Sequence, residues 1–131
     1  MISTKGRYAL RVMIDLAQQP RETYIPLHDI AERQQISEKY LEIIIKMLVK
    51  NKLVKGHRGK GGGYLLTRDP GDYSCWEILK NTEETMAPVA CLMQDAEACP
   101  RKSECRTISL WEGYDRLTKE YFEKVRLTDL L

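Results

Sequence analysis

Histidine is scarce in this chain. His28 and His57 are the two present in 131 residues, and both lie in the first half. No nucleophile stands with a base beside it, and no two carboxylates share an apolar setting, so a catalytic role is not expected. No apolar run approaches the roughly eighteen residues needed to span a bilayer. The opening "MISTKGRYAL" carries cations but no apolar core followed by small residues, so a secretory signal is not expected and the chain is placed in the cytoplasm. The glycine-rich stretch at 59–63 is followed by neither G-K-S/T nor a helix, which excludes a nucleotide phosphate loop. Nor is there a Cys-x-x-Cys pair, the usual mark of a tetrahedral zinc site.

What is present is an ordinary globular composition with an uneven charge. Hydrophobic residues make up 43% and charged residues 31%, enough for one modest core and an appended helix. Residues 1–68 hold thirteen Lys and Arg against six Asp and Glu, whereas residues 69–131 hold eight against thirteen. From Lys46 to Lys60 there are six cations and no carboxylate. Such a strip can neutralise phosphates and release counterions, so nucleic acid is the expected partner of the first half.

Apolar periodicity gives that half its shape. Ala9, Val12, Met13 and Leu16 recur at three- and four-residue steps and predict an amphipathic helix ending near "QQP"; Leu27, Ile30 and Ala31 predict a shorter one. Ser37 is placed to cap a third, "EKYLEIIIKMLVKN". Its stripe of Leu41, Ile44, Ile45 and Leu48 leaves Lys39, Glu42, Ile43 and Lys46 outward. Two helices joined by a tight turn, the second with a polar outer face, describe a helix-turn-helix able to enter a major groove. The following "LVKGHRGKGGGYLLT" reads as two short strands, with the glycines at 59, 61, 62 and 63 taking positive φ in the turn, and so as a wing. Arg58 has a planar guanidinium suited to phosphate or to a narrow minor groove. His57 beside it is expected on phosphate or backbone rather than on a metal.

Together, "STKGRYAL", "DIAERQQIS..YLE" and "LVKGHRGKGGGYLL" resemble the bacterial winged helix-turn-helix regulators of the IscR/NsrR/CymR family over essentially the whole chain. The resemblance implies a mainly α fold with a small β-hairpin wing, a homodimer on a palindromic double-stranded DNA operator, and a sensor region after the wing with three cysteines in the cluster-binding members. It implies DNA contacts by Lys39, Tyr40 and Glu42 of the recognition helix and by Arg58. Ser3, Lys5 and Arg7 of the opening, Ser37, and Lys60, Gly62 and Tyr64 of the wing complete the expected DNA-facing set. The expected division is a winged domain at 1–70, a sensor loop at about 86–105 and a dimerisation helix at about 106–125.

The second half fits this plan on its own residues. "SCWEILKN" predicts a short helix, with Ser74 and Glu77 at capping-box spacing and Cys75 packed as a small apolar residue. Leu110, Trp111, Tyr114, Leu117, Thr118, Tyr121, Phe122 and Val125 form a stripe broad enough to need a second copy of the chain against it. Between the two, Cys91, Cys99 and Cys105 are separated by seven and five intervening residues, in a segment with Pro100 and many charges. In the reducing cytoplasm such thiols point to a soft metal centre rather than to disulfides. Iron–sulfur clusters tolerate this spacing; zinc and thiol-redox switching are the alternatives, as is a response to a partner enzyme of cysteine metabolism. Of the two common clusters, 2Fe–2S is expected over 4Fe–4S. The sequence departs from the family at the fourth ligand. Ile108 stands where a histidine is usual, and Arg7 where the nitric-oxide-sensing member has an aspartate. Asp95, Glu97, Glu104, a residue of the other subunit or solvent remain as candidates.

Overall fold

The computed structural model describes residues 1–131. Five helices, α1 (Thr4–Ala17), α2 (Leu27–Gln34), α3 (Glu38–Lys50), α4 (Cys75–Lys80) and α5 (Ile108–Lys124), frame one hairpin of β1 (Val54–His57) and β2 (Gly63–Leu66). The stripes expected from periodicity are the ones buried: Ala9, Val12, Met13 and Leu16 of α1, Ile30 and Ala31 of α2, and Leu41, Ile44, Ile45 and Leu48 of α3. Ser3 and Ser37 cap their helices by accepting from the Gly6 and Tyr40 amides, each at 3.2 Å. Gln35 ends α2 in the left-handed region (φ 54°), which makes the tight turn into α3.

An ion pair with a buried carboxylate locks α1 to α2. Asp15, 1% exposed, accepts from Arg33 Nε at 3.0 Å and Arg33 Nη2 at 2.8 Å, and from the Gln34 side-chain amide at 2.9 Å. Arg11 extends the network to the Gln34 side chain and carbonyl.

The wing pairs antiparallel from Val54↔Leu66 to His57↔Gly63, and Ile25 bridges Tyr64 from the other edge, which makes β2 the central strand. Positive φ falls on Gly59, Gly61 and Gly63 but not on Gly62, which corrects the expectation for that glycine. Space is what requires Gly62: a Cβ there would run into the His57 and Gly59 carbonyls.

The core continues past residue 70. Fully buried Tyr73 donates from its hydroxyl to the Leu53 carbonyl at 2.7 Å and accepts from the Thr67 and Arg68 amides, both at 3.0 Å, clamping the base of the wing. Ile78 of α4 and Leu127, beyond α5, join the same cluster. The chain therefore returns to the winged core after the long helix, so residue 70 is not a boundary of that core. In α4 half of the expected capping box forms: Ser74 caps the Glu77 amide, while the Glu77 carboxylate pairs with Arg68. No helix is long and apolar enough to cross a membrane.

Candidate nucleic-acid interface and thiol segment

The outer face of α3 is free. Lys39, Glu42, Ile43 and Lys46 are exposed, and none of Lys39, Lys46, Arg58 or Lys60 makes an ion pair within the chain. Tyr40 is half-buried, its ring packed edge-on to Tyr8 of α1 at 5.7 Å. That contact brings the start of α1 beside the start of α3, and Ser3, Thr4, Lys5 and Tyr40 line one hollow of about 510 Å³. Lys5 and Arg7 are exposed there, Arg7 bonded to Thr4. In the wing, Arg58 and Lys60 are exposed, whereas Tyr64 is half-buried against the core with its ring over Gly56. His57 stacks at 5.2 Å on Tyr24. His28, at the start of α2, bonds Glu38 at 2.6 Å across the turn, and that carboxylate raises its pKa.

The expected DNA-facing residues thus divide by what they can offer. Lys39, Glu42, Arg58, Lys60 and Lys5 present free polar ends to a ligand, and Arg7 an exposed guanidinium with one bond to Thr4. Ser37 and Gly62 shape backbone, Tyr40 and Tyr64 pack, and the Ser3 hydroxyl is already engaged by Glu83. Glu83 was not legible as a site residue, because eighty residues separate it from Ser3.

All four cysteines are free. Cys75 is buried at 3% exposure, and burial pushes its thiol pKa up, as suits a packing residue. Cys91 and Cys99 are exposed and Cys105 is half-buried. The Thr107 hydroxyl, 3.6 Å from the sulfur, and the Thr107 amide hold the Cys105 thiol below its ordinary range. Cys99 and Cys105 share a hollow of about 410 Å³ with Arg101, Glu104, Arg106 and Thr107, and Cys91 is not part of it. No three ligating side chains are gathered at one point, so holding a metal centre requires the segment to close on it. From Glu83 to Thr107 no residue is buried, so little packing opposes such closure. The donor set, three free thiols on an unburied segment, fits a soft metal or an iron–sulfur cluster in its chemistry.

Along α5, Leu110, Tyr114, Leu117 and Tyr121 are 57–67% exposed. Of these, Tyr114, Leu117 and Tyr121 border, with Trp111 and Phe122, an apolar groove of about 890 Å³.

Comparison with known proteins agrees with this geometry. The profile of the Rrf2 family, described as an iron-dependent transcriptional regulator, matches residues 2–131. The chain is 38% identical over 130 residues to the HTH-type transcriptional regulator IscR of Xenorhabdus nematophila, covering 99% of this chain and 78% of that one. Among solved structures it is similar to CymR, the global cysteine regulator of B. subtilis, with a TM-score of 0.78, 35% identity, and 99% and 95% of the two chains covered. It is also similar to T. potens IscR, with a TM-score of 0.74, 35% identity, and 99% and 85% covered. The X. nematophila relative is named as a transcriptional regulator and not as an enzyme, and the winged-helix fold of the two solved structures is the one found here. The chain belongs to the Rrf2 family of transcriptional regulators.

Proposed function

We propose that this DNA-binding regulator acts as a homodimer on a palindromic operator, and that an iron–sulfur cluster on Cys91, Cys99 and Cys105 sets its operator binding. The observation that carries this reading is the placement of three free thiols on a segment with no buried residue, between the winged core and the exposed apolar face of α5. Bound there, the cluster would supply a tie, sensitive to redox state and to iron supply, between three points of that segment. The 2Fe–2S form is favoured over 4Fe–4S, with a fourth ligand drawn from a carboxylate such as Asp95, Glu97 or Glu104, from the other subunit, or from solvent. Anaerobic purification with visible absorbance and iron and sulfide assay tests the reading. A colourless protein without sulfide, even after reconstitution, would overturn it.

A second reading keeps the DNA binding and uses the thiols as a redox or zinc switch. The hollow that Cys99 and Cys105 share without Cys91 favours it, since two thiols suffice for a redox pair.

Arg58 and Glu42 take different roles in DNA binding. Arg58, on the exposed wing, positions on phosphate or in the minor groove, and Arg58→Ala is expected to cost about 1–3 kcal/mol on all sequences. Glu42 faces base edges, where a carboxylate accepts from cytosine N4 and is repelled by phosphate. Glu42→Ala is therefore expected to relax sequence choice while sparing affinity for random duplex. Anisotropy titrations on operator and random DNA separate the two, and parent-like binding by both variants would count against this placement of α3 and the wing.

The apolar groove along α5 is read as the seat of the second copy's α5. Leu117→Glu is expected to dissociate the dimer, because an unpaired charge in an apolar interface costs several kcal/mol. Light scattering at micromolar concentration reads the mass, and a monomeric parent would defeat the idea.

A further inference from the structure

Glu83 ties the start of α1 to the thiol segment. Its Oε1 accepts from the Ser3 amide and from the Ser3 hydroxyl, both at 2.9 Å, and the same hydroxyl accepts from the Gly6 amide at 3.2 Å. A carboxylate at a helix N-terminus is stabilised by the free amides and by the dipole, and a chain of bonds ending on a charge strengthens each member. The approach is close enough that a Cβ at Gly6 would collide with the Glu83 carboxylate and press on Leu79. On the other side Glu83 borders Thr82, 5% exposed, whose hydroxyl bonds the Ile78 carbonyl. The Glu83 amide donates to Leu79 at 2.8 Å. Glu83 is therefore the last residue held by α4 and the first of the unburied segment.

The other route from that segment to the DNA-facing elements is stiff. The Cys75 amide donates to the Val125 carbonyl at 2.9 Å and the Leu127 amide to the Tyr73 carbonyl at 3.0 Å, with Leu127 fully buried. The far end of α5 thus moves with the winged core whatever the thiols do. Between α4 and α5, Glu83 is the residue whose side chain bonds an expected DNA-facing residue, and it shares one hollow with Lys5 and Tyr40.

We propose that Glu83 is a positioning residue that couples the thiol segment to DNA binding: with the segment free, its carboxylate holds the start of α1 and sets a negative charge in the hollow that Lys5 also lines, and closing the segment on a ligand draws it away. Held there, the carboxylate competes with a DNA phosphate for the Ser3 amide. The proposal rests on the DNA-binding role of the α1 start and on a segment that closes through its thiols, and it does not depend on which agent closes it.

The test measures operator affinity for the full-length parent and for Glu83→Gln, Glu83→Ala and Glu83→Asp, each with the segment free and closed. Closure is achieved in one arm by anaerobic iron and sulfide, and in the other by phenylarsine oxide, which bridges two thiols. For the parent, closed and free forms are expected to differ by about tenfold, within the usual range of allosteric coupling. Glu83→Gln and Glu83→Ala are expected to bring the two within about twofold, mainly because the free form gains affinity, while Glu83→Asp keeps part of the difference. A merely structural role would weaken free and closed forms alike and leave the ratio as in the parent, which would overturn the proposal. A parent ratio of one in both arms would overturn it too. Failure of iron and sulfide to bind, with the arsenical arm behaving as expected, would remove the cluster and leave the Glu83 coupling standing.

Discussion

Arg33→Ala is expected to destabilise the fold by about 3–5 kcal/mol, the range for removing one partner of a buried ion pair. The asymmetry of the pair is the reason. The Asp15 side chain is 2% exposed and Arg33 is 41% exposed, so the carboxylate has no route to water and the guanidinium does. Without Arg33, Asp15 keeps one bond from Gln34 and is otherwise an uncompensated charge between α1 and α2. Asp15→Ala is expected to cost less, about 1–3 kcal/mol, because Arg33 can turn outward and the loss is then mainly of hydrogen bonds. Urea titrations check the order of the two variants. Equal, sub-kcal losses would mean the pair is incidental to the α1–α2 packing.

That pair also marks where the sequence could have been read further. Asp15 is three residues after Val12, on the buried face of α1, and a carboxylate at that step demands a cation nearby. Helical periodicity recovered α1, α2 and α3, because each buries one stripe against the others and the signal is local. The wing was legible for a similar reason: alternation and glycine spacing are local marks. Contacts between distant polar residues leave no periodic trace. Ser3 with Glu83, Tyr73 with the Leu53 carbonyl, and Ile25 with Tyr64 join residues 80, 20 and 39 apart, and each depends on the completed fold. The apolar stripe of α5 predicts a helix through Val125, but the helix stops at Lys124 and the Val125 carbonyl turns to Cys75, which sends Leu127 into the core. Of the site, residue types and free charges were legible. Which polar ends are already occupied was not.

Replacing any one of Cys91, Cys99 or Cys105 with serine is expected to abolish the visible absorbance and the bound iron of anaerobically prepared protein, the largest effect on any ligand site proposed for this chain. The segment supplies no packing to hold a cluster on two thiolates, since none of its residues from Glu83 to Thr107 is buried, and solvent reaches two of the three sulfurs freely. Cys75→Ala is expected to leave colour and iron intact, because that thiol sits at 3% exposure with its pKa raised by burial. The fold should survive the three serine changes, because no buried residue lies between 83 and 126, and it should survive Cys75→Ala because that change removes one small side-chain atom from the core, so far-ultraviolet circular dichroism should match the parent. The four variants therefore separate ligation from stability, which one variant alone would not. Retained iron in Cys91→Ser would show that Cys99 and Cys105, which already share a hollow, hold the centre with a partner other than Cys91. Retained iron in all three single variants would remove the cysteines from the site altogether.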